Sequence, residues 1–496
     1  MPPTSRFRIL TAADLASADS PAGETPLVES NCACPDTDQL LWDGPPIQNS
    51  LSGFVRPVLY LDQLPQEMFL VFNPLVATGP AVMNWAAWEF LDSFAEPRSP
   101  AALLRSAEEN DAFRRLVRLG LLEPAGGARR LQRAAPKTLT AWLHTTNACN
   151  LRCTYCYVDK SEEAMDEATG RAAVDAVFRS AQQHGYSQVK LKYAGGEATL
   201  NFGLVRRLHI YASELAQQMG IDLHGVVLSN GVALTGGMLD FIRESGLTLM
   251  ISLDGIGAGH DAQRVFANGR GSAHQVVRSI ERTLDRSVSP HLSITVTSHN
   301  AGDVAEAVAF ALERDLLFNL NFYRDHAAQD HATLRAEDEQ LITGIRQVFA
   351  VIEQNVPRHS LLASLIDRAN FATVHETACG AGHSYLVVDQ RGGVARCQME
   401  IEQRVTDVFA ADPLREIRLY PKGFQNVGVD EKEGCRTCHW RYWCAGGCPA
   451  LTYRVTGRSD VKSPYCNVYQ AVYPELLRLE GLRLLKYGRE EAVSSL

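Results

Sequence analysis

The stretch "LTAWLHTTNACNLRCTYCY", residues 139–157, runs from an apolar, β-like segment straight into three cysteines, Cys149, Cys153 and Cys156, spaced CxxxCxxC. Given one cysteine, two more at set offsets arise by chance roughly once in 1,700 trials at this chain's cysteine frequency. The loop's position, directly after a predicted strand, strengthens the signal. Four thiolates close a [4Fe–4S] cluster, and a tetrahedral zinc site takes four ligands of Cys or His. Three thiolates would leave one iron open to an outside ligand.

Outward from this loop the pattern is rhythmic. The runs "LTAWLHT", "QVKLKYA", "LHGVVLS", "LTLMISLD", "HLSITVT" and "LLFNLNFY" alternate with amphipathic segments such as "MDEATGRAAVDAVFRSAQQHG". Six β/α units in a row imply a parallel sheet, because parallel neighbours need crossover connections. Six is short of a closed eight-unit barrel. The expected fold is therefore α/β, a partial (β/α)6 TIM-like barrel over residues 136–356 with its chemistry at the C-terminal ends of the strands.

Residues 1–53, rich in Pro, Ser, Ala and Asp, read as a flexible arm or cover. Over 54–135, "FVRPVLYLD" and "EMFLVFN" predict a β-hairpin, and "GPAVMNWAAWEFLDSF", "SPAALLRSAEE" and "NDAFRRLVRLGLLEP" predict helices. A hairpin with three short helices is a winged-helix-like pattern. Past residue 356 the rhythm ends, and 357–496 is expected to be loop-rich with a C-terminal helix. There "CGAGHSYLVVDQRGGVARC", "CRTCHWRYWCAGGC" and "YC" carry seven of the twelve cysteines. From Cys435 the spacing is CxxCx5CxxxCx17C, a chance event on the order of one in a few million.

At 496 residues the chain implies two or three domains, and its formal charge of −9 argues against a sequence-independent grip on nucleic acid. No run approaches the ~20 apolar residues of a membrane span, and the N-terminus lacks the features of a secretory signal, so the expected location is cytoplasmic with no membrane partner. In a long cytosolic chain, closely spaced cysteines point to metal before disulfides.

The CxxxCxxC loop, with Tyr155 before its last cysteine, resembles the signature of the radical S-adenosylmethionine (SAM) enzymes. The resemblance extends to "YAGGEATL", "SNG" and "ISLDG", each at a strand end, and to Arg264 in "GHDAQRVFANGRGS". It implies a SAM-binding cluster on Cys149, Cys153 and Cys156. SAM contacts would come from Tyr155, Gly195, Gly196, Glu197, Ser229, Asn230, Ser252, Asp254 and Arg264. It also implies an external one-electron donor of the flavodoxin or ferredoxin type. The second cysteine group resembles the SPASM extension of these enzymes, which holds two auxiliary clusters and brings the total to three [4Fe–4S]. On that resemblance Cys435, Cys438, Cys444 and Cys466 hold the outer cluster and Cys379, Cys397 and Cys448 the inner one. A double zinc ribbon is the bland alternative. The inner set departs from family members with a fourth cysteine: Tyr385 stands near that place. The inner set either leaves an iron open, able to take a thiol of the substrate, or borrows a ligand; the unassigned Cys32 and Cys34 are that ligand, bystanders or a redox pair.

The resemblance implies a 5′-deoxyadenosyl radical that removes hydrogen from an unactivated carbon, with auxiliary clusters accepting the remaining electron. That points to oxidative maturation of a ribosomally made peptide or a protein subunit through a thioether or carbon–carbon cross-link. Residues 54–124 resemble the PqqD-like precursor-recognition domain, which takes a leader peptide as an added strand. The alternative is a single-residue oxidase of the anaerobic sulfatase-maturing type. Those enzymes carry an Asp directly after the second inner-cluster Cys, where this chain has Gln398. A third reading is a non-catalytic iron–sulfur carrier. No acid or base is named; His144, His260, Asp261 and His383 lie near the motifs, and a satisfied structural role is the plain reading of each.

Overall fold

The computed structural model describes residues 6–16, 40–43, 53–126, 130–133, 136–326, 332–363 and 365–494. Its centre is a nine-stranded mixed sheet. Thr138–His144, Gln188–Ala194, Asp222–Ser229, Thr248–Ser252, His291–Val296 and Phe318–Phe322 lie side by side in chain order, all parallel. Helices connect them. The first, Glu167–Gln183, starts where Asp166 accepts from the Thr169 N–H at 2.7 Å, and it buries Ala173, Val174, Val177 and Phe178. Because helices cover one face and the interior the other, the strands are buried nearly throughout. Even Lys190 and Lys192 of the second strand are enclosed, on the alternation that also places Ala194.

The sheet does not end at the first parallel strand. Tyr385–Val388, from the cysteine-rich region, pairs parallel with Thr138–His144, Val388 standing opposite Leu143. Gly393–Ala395 and Thr406–Asp407 then continue it antiparallel. The expectation of a loop-rich C-terminal part thus holds only outside these strands. The valines and leucine of "YLVVDQRGGVA" supply the β-forming core, and Asp389 caps the turn by accepting from Arg391 N and Gly393 N, both at 2.8 Å. The chain closes with the helix Cys466–Ser494, which packs against the helix Asp338–Gln354.

Near the N-terminus, Tyr60–Leu64 and Met68–Phe72 form the expected hairpin. The stretch 79–94 is not one helix. Ala81–Asn84 joins the hairpin as a strand, and only Trp85–Asp92 is helical, begun by Asn84 Oδ1 accepting from Ala87 N at 3.1 Å. Asn at that place is a strong helix start, and it outweighs the continuous apolar pattern. Residues 1–53 are not wholly an irregular cover either: Ile9–Leu10 pairs antiparallel with Ala81–Asn84, with Phe7 and Ile9 buried. The helix Ala107–Arg118 follows, opened by a capping box between Ser106 and Glu109. This unit packs on the cysteine-rich region, where Trp443 Nε1 donates to Pro74 O at 2.7 Å and Phe72 lies 5.0 Å from the Trp443 ring. No described helix is long and apolar enough to cross a membrane.

Gly344, in the helix Asp338–Gln354, has no room for a side chain: a Cβ there would stand 2.1 Å from Ala301 O. Gly344→Ala is expected to cost about 3 kcal/mol, the upper end of overpacking, seen as a lowered denaturant midpoint. Gly237→Ala, where a Cβ meets nothing within 4 Å, is the control and should leave the midpoint unchanged or raised.

Candidate active site

The first cysteine loop is clasped by the loop after the second parallel strand. Thr145 N donates to Ala194 O at 2.8 Å, Gly196 N to Thr146 O at 2.6 Å and Glu197 N to Ala148 O at 2.9 Å. Side chains are excluded here. A Cβ on Gly195, whose φ is +149°, would stand 2.3 Å from Thr146 O, and one on Gly196 2.4 Å from Ala148 O. Buried Glu197 then ties the next loop in. Its Oε1 accepts from Thr199 N, Thr199 Oγ1 and Ser229 Oγ at 3.1, 2.5 and 2.9 Å, and its Oε2 accepts from Asn230 N at 2.6 Å. A carboxylate has about four acceptor positions, and Oε2 retains capacity for one further donor. Asn230 Nδ2 reaches Asn150 Oδ1 at 2.7 Å and Cys149 Sγ at 3.7 Å.

A second network holds Tyr155 and Arg264. Asp254, fully buried, accepts from Tyr155 OH at 2.6 Å and Thr295 N at 2.8 Å and pairs with Arg264 at 3.5 Å; Arg264 also donates to Tyr155 OH. Asp254 is therefore not where the sequence reading puts it. Its carboxylate is spent on positioning Tyr155 and Arg264, and it does not line the cavity those two residues face. Arg264 Nε is buried without a protein partner, a donor left for something else. His260 accepts from Asp254 N at 3.2 Å and meets Ser272 Oγ at 3.0 Å. His144 meets Asn147 Oδ1 at 2.7 Å and His383 Nε2 meets Asn426 O at 3.1 Å. Asp261 accepts from Ala273 N at 2.8 Å, a helix-start role. These residues brace the loops.

Between the networks lies a cavity of about 250 Å³. It is lined by Tyr155, Cys156, Gly195, Gly196, Glu197, Ser229, Asn230, Ser252 and Arg264. Cys379, Cys397, Cys448 and Gln398 line it too. Both cysteine groups thus face one space. Its floor is made by strand positions that sequence reasoning missed: Trp142, Leu228, Met250, Thr295 and Asn321. Register shows the available signal. Leu228 stands opposite Met250 and Thr295 opposite Asn321, so the inward face follows from alternation once one inward residue is known. Arg324 and Arg368 also line the cavity, from two separate segments with no motif to mark them.

The ten described cysteines are all free thiols. They separate into three sets whose members lie within electrostatic reach of one another: Cys149, Cys153 and Cys156; Cys379, Cys397 and Cys448; and Cys435, Cys438, Cys444 and Cys466. The last four line a second, smaller cavity with Trp440, Tyr469 and Tyr473. Burial, reinforced by the neighbouring thiols, pushes Cys153 and Cys444 up to about 12 and Cys435 up to about 11, and raises Cys149, Cys379, Cys397 and Cys466. Such thiols stay protonated in the bare chain and need a cationic centre to hold them as thiolates. Among the described residues no three Cys, His, Asp or Glu side chains converge closely enough to hold a single ion. Each set offers thiols alone, the donor type that holds iron–sulfur clusters. Cys32 and Cys34 lie outside the described residues.

Residues 143–311 match the model of the Radical SAM superfamily. The chain is 26% identical over 331 residues to the serine-type anaerobic sulfatase-maturating enzyme of Klebsiella aerogenes, spanning 61% of this chain and 77% of that one. It is 26% identical over 171 residues to the sporulation killing factor maturation protein of Bacillus subtilis (strain 168), spanning 34% of this chain and only 38% of that protein. The solved structure described as native anSMEcpe with bound AdoMet is 18% identical with a TM-score of 0.57, covering 69% of this chain and 98% of its own, a likeness of fold alone.

Burial lowers His144 and His260 to about 4, against about 6.5 in an unfolded chain. Above pH 6.5 both are neutral in either state. As the pH falls below that value the unfolded chain takes up protons that the folded chain refuses, so stability is lost progressively down to about pH 4. Between pH 7 and 5 the loss should approach about 2 kcal/mol per histidine. His144→Gln is expected to flatten this dependence in denaturant titrations at the two pH values.

Proposed function

We propose that this chain, a radical SAM enzyme related to maturases, oxidises a ribosomally made peptide or a protein subunit and closes a thioether or carbon–carbon cross-link. The observation that carries the reading is that Cys156, Cys379, Cys397 and Cys448 all line one cavity. A side chain held there lies between a place where a hydrogen atom is removed and a place that can take the electron left behind. Loss of one hydrogen atom, one electron and one proton is the balance a new bond between two residues requires.

In this reading the six β/α units are a partial barrel, and Cys149, Cys153 and Cys156 hold a [4Fe–4S] cluster whose open iron binds SAM. Loaded with that pair, the site supplies one-electron cleavage of SAM and a hydrogen-abstracting 5′-deoxyadenosyl radical. The chain's own residues do the placing. Oε2 of Glu197 takes the SAM ammonium, the side-chain-free Gly195–Gly196 turn lets the backbone approach, and Ser252 and Asn230 supply polar contacts. Arg264, fixed by Asp254 and Tyr155, offers its spare donor to a carboxylate. Cys379, Cys397 and Cys448 would hold an inner auxiliary cluster, and Cys435, Cys438, Cys444 and Cys466 the outer one, making three clusters that can take up the remaining electron. An electron donor of the flavodoxin or ferredoxin type completes the cycle.

Residues 54–135 are read as the winged-helix-like precursor-recognition unit. The sheet already takes an added strand, the chain's own Ile9–Leu10 on Ala81–Asn84, and a leader peptide would either displace that strand or add at the other edge, Tyr60–Leu64. Single-residue oxidation of the sulfatase-maturing kind is the second reading, supported by the Klebsiella aerogenes relative. Gln398 speaks against it. It lines the cavity and its Oε1 accepts from Tyr385 OH at 3.0 Å, and an amide cannot serve as the carboxylate base of that chemistry.

Mass spectrometry of a peptide encoded beside this chain, after anaerobic incubation with the iron-loaded enzyme, SAM and a reductant, separates the two. Loss of two hydrogens with two residues linked is the expected product. An aldehyde at one residue would replace the first reading with the second.

A further inference from the structure

Lys432 is 1% exposed, and among the described residues no carboxylate pairs with it. Its ammonium donates to Ala445 O at 2.9 Å, and its own carbonyl accepts from Cys435 N at 3.1 Å. The chain keeps a corner free for it. Gly446, at φ +76°, lacks the Cβ that would stand 2.6 Å from Lys432 Cδ and 2.9 Å from Nζ. A buried ammonium with one carbonyl for company is costly unless an anion balances it. The loop it packs on, residues 444–448, carries one thiol of each C-terminal set, Cys444 of the outer and Cys448 of the inner, and Cys435 and Cys379 lie within its electrostatic reach, so thiolates held there would supply the anion.

We propose that Lys432 is the shared counter-charge of the two auxiliary sites, set between them so that one ammonium raises the reduction potential of both. The inference rests on the reading that these cysteine sets hold iron–sulfur clusters. A fixed positive charge stabilises the reduced, more negative form of a cluster, and cluster potentials follow such charges. Lys432 differs in this from its neighbours. Arg368 acts on Cys379 of the inner set, and the exposed Lys462 acts on Cys435 and Cys466 of the outer set. A charge felt by both sites at once keeps their potentials in step, which suits a pair that passes an electron from the cavity side outward.

The test is an EPR-monitored redox titration of the full chain carrying Cys149→Ala, Cys153→Ala and Cys156→Ala, so that only auxiliary signals remain. With Lys432→Met added, both couples should shift downward by about a tenfold change in reduced-to-oxidised ratio, ~59 mV for one electron. Lys432→Arg should hold both near their starting values, while Arg368→Met should move the inner couple alone. A shift of one couple only, or of neither, in Lys432→Met overturns the inference. If Lys432→Met loses iron that Lys432→Arg retains, the charge is needed to hold both groups and the inference stands; loss from both variants overturns it. Absence of auxiliary iron in the parent chain would instead remove the cluster assignment, and this inference with it.

Discussion

The parallel pairing of Tyr385–Val388 with Thr138–His144 is the constraint on which the remaining structure depends. The pairing joins the segment that leads into the CxxxCxxC loop to the cysteine-rich region that begins at Cys379, and thiols of both groups, more than 200 residues apart in sequence, line one cavity. Register matters more than propensity here, because a slip of one residue would turn each inward side chain to the other face. The same sheet sets the depth of the site: the floor is made of strand side chains, and the walls are loops.

Onto that frame the chain places groups that are unfavourable by themselves. Thiols are buried and so held protonated, Arg264 keeps an unpartnered Nε, and Lys432 is enclosed beside a single carbonyl. Each is a polar or ionisable group that burial alone disfavours. By contrast, Asp254 and Glu197 are nearly saturated by protein donors. Their hydrogen bonds tie the loops around the cavity to one another.

Much of this was legible in the sequence. All six parallel strands lie where the β-rich runs predict them, since uninterrupted apolar segments between amphipathic helices leave few alternatives. The glycines of "YAGGE" could be read as close-approach positions, and the contacts with Thr146 and Ala148 give the physical reason. Three features were hidden. Asp254 carries the right residue type for a ligand contact, yet only its three protein partners reveal a supporting role. Ile9–Leu10 sits in a polar, Pro-rich region whose composition conceals a two-residue strand. Trp142 and Asn321 belong to strands whose alternation was visible but whose inward face was not, because a strand buried on both sides carries no polarity to mark it.

The account stands on the SAM-binding cluster proposed at Cys149, Cys153 and Cys156, and its most direct measurement is SAM cleavage by the anaerobically iron-loaded chain under a strong reductant. 5′-Deoxyadenosine and methionine should accumulate with the parent chain and vanish with Cys156→Ala. Zinc in that loop, or no 5′-deoxyadenosine from a chain with its full iron, would contradict it.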